Sequence, residues 1–189
     1  VKRAASSLLS RVARTAILGR DTATRFTCGV LRDAGAEPWV MDLSLRPHDN
    51  AGADIGGAAL AKASGVTWEE LAAMERSQAA ETMIAGGTKS LLQKFGTGDL
   101  SGVIGVGGAN GSTVFCAMMR ALPSLFPKVM VTPVAATAAV QWYVAESDIA
   151  MVPTIGDIVL NRITKAVMEN AAFAVTGMAT SWNKRRIRT

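Results

Sequence analysis

The sequence lacks most of the features that mark a specialised class of protein. It has two cysteines, Cys28 and Cys116, each among apolar neighbours, which argues against a disulfide framework and against a zinc site. It has one histidine, His48, and aromatic residues make up only 5% of the chain. No apolar run reaches the ~18 residues that a membrane span needs. We therefore expect a cytoplasmic protein without a membrane partner.

The chain also lacks a basic patch within its body. Its net charge is +5, but eight of the basic residues stand at the two ends, and without them the charge becomes −3. A nucleic-acid surface needs Lys and Arg grouped on the folded body, often with aromatic residues between them. The sequence thus argues against a nucleic-acid partner, and we expect solvated ends. The basic residues of the ends are Lys2, Arg3, Arg11, Arg14, Lys184, Arg185, Arg186 and Arg188.

What the chain does have is a high apolar content, 49%, dominated by Ala, Val, Ile, Leu and Met. Short apolar runs alternate along it with longer stretches of helical periodicity, a pattern that predicts parallel strands joined by crossover helices. We predict an α/β fold: a three-layer, Rossmann-like, open and mainly parallel five-stranded sheet with helices on both faces. The predicted strands are Ala13–Gly19, Glu37–Leu43, a central strand beginning at Gly102, Lys128–Pro133 and Ile149–Val152.

The domain organisation follows from these elements. We predict a basic N-terminal extension over residues 1–12, a Rossmann-like nucleotide-binding domain over 13–179, and a basic tail over 180–189. The segment from Ser44 to Val66 is predicted to be irregular. His48 within it could be a general base or a phosphate contact, but a single loop histidine without a partner in the sequence is interpreted as solvated. Thr67 and Glu70 form a capping-box pattern. Gly86 and Gly87, inside the helix that follows, predict a close contact or a kink.

The last helix is predicted over Ile158–Met178, with Asn161 near its start. Apolar residues at helical spacing predict which face of this helix is buried. The residues assigned to that face are Ile163, Val167, Ala171 and Ala174.

The most informative stretch is the glycine-rich segment that runs from Gly102 to Thr113. Val103, Ile104 and Val106 are typical of a strand buried on both faces, and glycines follow them at once. Gly107, Gly108 and Gly111 could adopt positive φ and let backbone N–H groups surround an anion, with Ser112 or Thr113 capping the next helix. A helix N-terminus there favours phosphate. The alternative interpretation is a tight turn in which glycine serves only close packing.

Polar or glycine residues also follow the first, fourth and fifth strands. In a parallel sheet the carboxyl ends share one edge, and ligands bind where the strand order reverses. We therefore expect the ligand-binding residues to converge at that edge. The candidate residues are Asp21, Thr22, Gly107, Gly108, Ala109, Asn110, Gly111, Ser112, Thr113, Ala136, Thr137 and Asp157; Asp21 and Asp157 could hold Mg²⁺ or could simply cap helices.

Several blocks of sequence resemble a known family. They are Gly-Val-Ile-Gly-Val-Gly-Gly-Ala-Asn-Gly-Ser from Gly102, Met-Arg-Ala-Leu-Pro from Met119, Pro-Lys-Val-Met-Val from Pro127 and Ser-Asp-Ile-Ala-Met-Val-Pro from Ser147. In order and spacing these blocks resemble the N-terminal half of the ATP-binding family typified by the tomato mosaic virus resistance protein. The resemblance covers about residues 15–179. It implies two Rossmann-like subdomains in a full-length member, and ATP held by the glycine turn and its neighbouring loops.

The chain departs from the family pattern at three of the proposed ligand turns. Ala23 stands where the resemblance implies a lysine that reaches phosphate, so Arg20 or Arg25 would have to substitute. Asn110 stands in a turn that usually reads Ser-Gly, and Thr137 replaces a glycine. The resemblance therefore transfers the fold more directly than the affinity for a nucleotide.

Two classes of function follow. The first is nucleotide binding, with ATP and possibly Mg²⁺, by a binding or regulatory half of a larger assembly. The second is a subunit of an enzyme acting on a phosphorylated or acyl metabolite, with catalytic residues supplied by a missing second domain. Neither Ser112 nor Cys116 has an obvious base in the sequence. In either class we expect a homo-oligomer or a separately encoded second subdomain to cover an apolar edge.

Overall fold

The computed structural model describes residues 13–19, 22–44, 52–155 and 158–186. His48 and the first 12 residues lie outside these ranges. In chain order the elements are β1 Ala13–Leu18, α1 Thr22–Asp33, β2 Ala36–Met41, α2 Gly57–Ser64, α3 Trp68–Ala73, α4 Arg76–Gly96, β3 Gly102–Val106, α5 Ala109–Arg120, β4 Lys128–Val131, a 3₁₀ turn Pro133–Ala136, α6 Val140–Val144, β5 Ala150–Val152 and α7 Arg162–Arg186.

The five strands form one sheet in the order β2-β1-β3-β4-β5, and every pair is parallel. Leu18 stands opposite both Met41 and Gly105, so the three strands end at the same level. The chain steps outward from β1 to β2 and then returns to the other side of β1 with β3. The strand order thus reverses between β1 and β3, and the predicted five-stranded parallel fold is confirmed.

Two apolar cores lie on opposite faces of the sheet. Ile17, Ile104 and Val129 belong to a core shared with α1 and α7, whereas Leu18, Val103 and Met130 belong to one shared with α2, α4 and α5. Consecutive strand residues alternate between the two faces, so both faces of β3 are buried, as predicted from its continuous apolar run. The result is a three-layer α/β arrangement.

Glycine allows the helix layer formed by α2 and α4 to pack closely. A Cβ atom built on Gly86 would lie 2.0 Å from the carbonyl oxygen of Leu60, a backbone atom that no rotamer change could move. The predicted close contact is therefore present between α4 and α2. The predicted capping box is also confirmed, because the Thr67 side chain accepts the N–H of Glu70 while the Glu70 side chain accepts the N–H of Thr67.

Two predictions about helices are wrong. The segment predicted to be irregular contains α2, which begins after Gly56 and ends at Gly65 in the left-handed conformation. The last helix runs on to Arg186, and Trp182 packs edge-on against Phe126. Residues 180–186 thus continue α7 and pack through Trp182, while Lys184, Arg185 and Arg186 at its end are exposed.

The buried face of α7 also differs from the predicted one. Ala171 is buried as expected, but Ile163 and Ala174 are exposed and Val167 is only partly buried. The helix begins at Arg162 rather than at the predicted Ile158, so Asn161 directly precedes it, and its side-chain oxygen accepts the N–H groups of Ile163 and Thr164. The buried residues of α7 are Thr164, Met168, Ala171, Ala172, Val175, Thr176 and Ala179.

None of the helices in the described part of the chain has an apolar stretch that could span a bilayer.

The start of β4 is tied to the start of β5 by a buried lysine. Lys128 is 1% exposed and pairs with the carboxylate of Asp148, which also accepts the N–H of Leu125. Burial alone would raise the pKa of Asp148, but the hydrogen bonds from Lys128 and Leu125 outweigh it and hold that pKa below its usual range. The ion pair therefore contributes stability only while Asp148 is ionised.

We expect Asp148→Asn to lower the free energy of unfolding by about 1 to 3 kcal/mol near neutral pH, because it leaves Lys128 buried without its counter-charge. The folded-state pKa of Asp148 is depressed, so its contribution is present above the unfolded pKa of about 4 and is lost as pH falls through the folded value. Urea unfolding from neutral to acid pH should show the two proteins converging. Exposed Glu81→Gln is the control, and a constant difference at all pH values would contradict the assignment.

Candidate functional site

The N-terminus of α5 is the central feature of the candidate site. Gly108 is its N-cap, with an extended backbone (φ −73°, ψ −163°) and no side chain accepting from the first turn. The first bond within the helix runs from the N–H of Ser112 to the carbonyl oxygen of Gly108, at 2.8 Å. Helix geometry therefore leaves the N–H groups of residues 108–111 without an acceptor inside α5. These four donors stand at the positive end of the helix dipole.

This helix terminus lies at the point where the strand order reverses. β1 ends at Leu18, β3 ends at Val106, and the two strands are neighbours. Gly19, the residue after β1, has φ +153°, and a Cβ atom built there would lie 2.3 Å from Thr24 Oγ1 and 3.3 Å from the carbonyl oxygen of Val106. The chain after β1 thus lies directly against the end of β3. Open α/β sheets bind ligands at this kind of position.

The glycines of the turn act differently from what the sequence predicts. None of Gly107, Gly108 and Gly111 has a positive φ. Cβ atoms built on Gly107 and Gly111 would lie 3.1 and 3.3 Å from the ring of Phe115, so these two glycines serve close packing between strand and helix. Of the three, Gly108 alone has open space where a Cβ would be. The packing alternative therefore accounts for two of the three glycines.

The predicted capping by Ser112 or Thr113 is wrong, because α5 begins at Ala109 and both residues lie inside its first turns. Ser112 is fully buried, and its hydroxyl bonds the carbonyl oxygen of Gly108 at 3.0 Å and the hydroxyl of Thr132 at 2.8 Å. Thr113 is exposed, and its hydroxyl donates to the carbonyl oxygen of Ala109 at 3.2 Å. Ser112 is thus a structural residue, and its N–H is already used by the helix.

The remaining candidates are distributed around the same carboxyl edge. Thr22 is exposed at the first position of α1, and Ala109 and Asn110 are exposed in the first turn of α5. Ala136 and Thr137 are exposed after β4, where the Thr137 hydroxyl donates to the carbonyl oxygen of Val134 at 2.8 Å. Asp21 and Asp157, the two candidate metal ligands, lie outside the described residues. In the described ranges no group of three or more His, Cys, Asp or Glu side chains could hold a metal ion.

Sequence reasoning missed two residues that shape this site. Gly19 permits the approach of the β1 loop to β3, and Thr132 ties the first turn of α5 to β4 through its hydroxyl. Thr132 is fully buried and also accepts the N–H of Val134 at 3.2 Å. The only sequence signal was position, since Gly19 closes the first predicted strand and Thr132 is the last residue but one of the fourth.

Neither cysteine is placed to act as a nucleophile at neutral pH. Burial raises the pKa of the Cys116 thiol to about 11 and outweighs the opposing charge of Arg120. Burial also raises the pKa of Cys28. Both thiols are therefore protonated near pH 7, and a protonated thiol is a poor nucleophile.

Comparison with known proteins identifies one family. The N-terminal domain model of an uncharacterised protein family, UPF0261, matches residues 17–184. A UPF0261 protein of Clostridium tetani is 30% identical over 156 residues, which is 82% of this chain and 38% of the relative. A UPF0261 protein of Rhizobium meliloti is 45% identical over 82 residues, or 43% of this chain and 20% of the relative.

A plant protein matches a stretch of similar length. The ToMV resistance protein Tm-1 of Solanum lycopersicum is 37% identical over 81 residues, which is 42% of this chain and 11% of that protein. The resemblance inferred from the sequence blocks is thereby confirmed. This chain spans well under half the length of each of these relatives.

The buried hydroxyl pair yields a prediction about stability. We expect Ser112→Ala to lower the free energy of unfolding by about 1 to 2 kcal/mol, because Thr132 loses a partner inside the protein. Thr113→Ala is the matched control, since it removes an exposed hydroxyl one residue further along α5 and should change stability by less than about 0.5 kcal/mol. Equal losses in the two variants, measured by urea unfolding, would contradict the structural role of Ser112.

Gly19 yields a second prediction. Gly19→Ala should lower the free energy of unfolding by about 1 to 3 kcal/mol, because it forces a side chain into a positive-φ position and against Thr24. Gly29→Ala is the matched control: Gly29 lies within α1 with open space around it, so alanine there should raise stability by about 0.5 to 1 kcal/mol. Thermal unfolding would refute the close approach at Gly19 if both variants were stabilised.

Proposed function

The chain belongs to the uncharacterised protein family UPF0261, whose N-terminal domain it contains, and from that premise we propose that it binds a nucleotide, ATP, at the N-terminus of α5. The single observation that carries the proposal is the set of four backbone donors at residues 108–111, at a helix end that no side chain caps. Phosphate oxygens are the natural acceptors for such donors.

The surroundings of these donors also support a nucleotide ligand. The site is at the reversal of strand order, where mononucleotides bind in folds with this strand order. The exposed residues Thr22 on one side and Thr137 on the other offer hydroxyl groups at the same edge of the sheet. The phosphates would lie on α5, with the rest of the nucleotide extending along the carboxyl edge towards one of these loops.

A cation is the missing part of the phosphate site. The resemblance implies a lysine where this chain has Ala23, which is buried. Arg25 is exposed in the first turns of α1, and in this proposal its guanidinium contributes the positive charge. A guanidinium can take over phosphate contacts from an ammonium group because it donates in a fixed, two-pronged geometry.

Mg²⁺ would accompany the nucleotide through the phosphate oxygens, as hard cations prefer oxygen ligands. In this proposal Asp21 and Asp157 complete its coordination, directly or through water. The chemistry that Mg²⁺ supplies is neutralisation of the phosphate charge.

We propose binding rather than covalent catalysis as the role of this domain. The Ser112 hydroxyl is committed to Gly108 and Thr132, and the Cys116 thiol has a pKa of about 11. Neither group is therefore prepared for nucleophilic attack. Because the chain matches only 38% of its clostridial relative, the domain would act as the nucleotide-binding part of a larger assembly.

Gly108→Asp tests the proposal, because it should affect stability and binding in opposite directions. An aspartate at this extended N-cap position would accept from the first turn of α5 and raise the free energy of unfolding by about a few tenths of a kcal/mol. Its carboxylate would also occupy the phosphate position and repel the ligand. We expect its affinity for ATP with Mg²⁺, measured by calorimetry, to fall at least about tenfold.

Gly108→Ala is the control, since its Cβ enters open space and adds no charge. It should retain affinity for ATP within about threefold, while stability falls by several tenths of a kcal/mol. The absence of heat with ATP and with ADP at millimolar concentrations would contradict nucleotide binding. Unchanged affinity in Gly108→Asp would place any bound nucleotide elsewhere on the protein.

A further inference from the structure

Asn110 stands in a sequence context that favours a spontaneous chemical change. An asparagine loses its side-chain amide when the backbone nitrogen of the next residue attacks the amide carbon, and a side chain on that next residue hinders the attack. Gly111 has no Cβ to hinder it. Glycine follows none of the other asparagines, which are Asn50, Asn161, Asn170 and Asn183.

The structure leaves both reacting groups accessible. Asn110 is exposed in the first turn of α5, and no described residue is hydrogen-bonded to its side chain. The N–H of Gly111 is one of the four at this helix end that have no acceptor inside α5. The attacking nitrogen therefore gives up no helix hydrogen bond when it loses its proton. Asn161, by contrast, uses its side-chain oxygen to accept two backbone N–H groups.

The position of Asn110 on the helix also favours the charge that the reaction creates. The nitrogen becomes negative as its proton leaves, and the amide oxygen becomes negative as the ring closes. Both charges develop at the N-terminus of α5, which is the positive end of the helix dipole. Asn170 is exposed as well, but it lies in the middle of α7, where the N–H of the next residue is bonded within the helix.

Ring closure requires a local opening of the first turn. The five-membered ring includes the backbone carbonyl carbon of Asn110, so ψ of this residue has to leave its helical value. Ala109 and Asn110 are exposed, whereas Gly111 packs against the ring of Phe115. The opening is therefore confined to the exposed end of the helix, where such fluctuations cost least, and the reaction proceeds slowly from this minor state.

We propose that Asn110 deamidates spontaneously and that the change ends anion binding at the N-terminus of α5. The nitrogen of Gly111 passes its proton to solvent and forms a bond to the side-chain carbonyl carbon of Asn110. The bond from that carbon to the side-chain nitrogen breaks, and ammonia leaves after taking a proton from solvent. Water then opens the succinimide ring to aspartate or isoaspartate, so that the chain exchanges an amide for a carboxylate and gains one negative charge.

The product is unfavourable for a bound phosphate. A carboxylate at residue 110 repels a phosphate held by the donors at residues 108–111, and it takes over the favourable interaction with the helix dipole. In isoaspartate the backbone also runs through the former side chain and is one carbon longer, which displaces the donors that precede it. This consequence rests on the proposed nucleotide function, whereas the deamidation itself does not.

Peptide mapping of the full chain tests the modification. Purified protein is held at mildly alkaline pH and physiological temperature, and samples are digested with trypsin at intervals. The fragment 95–120 contains Asn110 as its only asparagine, whereas fragments 129–162 and 166–184 contain Asn161, Asn170 and Asn183. We expect fragment 95–120 to gain the mass of an amide-to-acid exchange, and to separate into two isomers, at least about tenfold faster than the other two fragments gain mass.

Asn110→Gln removes the reacting side chain and should abolish the gain in fragment 95–120, because the longer side chain closes a less favourable six-membered ring. Asn170→Gln is the matched control and should leave that gain unchanged. Equal rates in the three fragments overturn the proposal, and so does a gain that persists in Asn110→Gln.

Calorimetry with ATP and Mg²⁺ tests the consequence. Asn110→Asp supplies the product in uniform form, and we expect its affinity to fall at least about tenfold. Asn170→Asp makes the same charge change on the exposed face of α7 and should retain affinity within about threefold. Unchanged affinity in Asn110→Asp overturns the loss of binding. If the fresh, unaltered chain binds no ATP, the proposed function fails, and the mass gain still decides the modification.

Discussion

The fit of the first turn of α5 between the ends of β3 and β4 is the constraint on which the candidate site depends. Glycine at positions 107 and 111 allows the ring of Phe115 to pack against the turn, and the Ser112 hydroxyl reaches Thr132 across 2.8 Å. These contacts fix the direction of the helix, and with it the direction of its unpaired N–H groups. The donors at residues 108–111 are therefore held in a fixed direction, towards the carboxyl edge of the sheet, where an anion could accept from them.

The fold could be predicted from sequence because its main signals are local and strong. β3 shows a continuous apolar run that only a strand covered on both faces tolerates, and all five strands were located to within a few residues of their bounds. The helix α2 was missed because its segment is rich in Gly, Asp, Asn and Pro, and because the helix carries no wide apolar stripe. Its helical state is stabilised by tertiary contact, chiefly the approach to α4 at Gly86, and local sequence does not reveal such contacts.

The start of α5 and the buried face of α7 were predicted wrongly because tertiary packing decides both. The residues at 109–111, Ala-Asn-Gly, were interpreted as loop because Asn and Gly are weak helix formers, yet packing against β3 and β4 extends α5 through them. On α7 the prediction favoured Ile163 for the buried face, whereas the gap above the sheet admits mainly small residues and threonines. Thr176 is buried there with its hydroxyl bonded to the carbonyl oxygen of Ala172 at 2.8 Å, so it costs little to bury.

Thr132 connects the candidate site to the far edge of the sheet. Its hydroxyl contacts the first turn of α5, and its N–H donates to the carbonyl oxygen of Val152, at the end of β5, at 3.0 Å. Because Thr132 is fully buried, the same residue fixes both the position of the α5 terminus and the pairing of β4 with β5. A ligand held by the donors at residues 108–111 would therefore meet a helix end whose orientation is set before the ligand arrives, and little free energy would be spent on ordering the site.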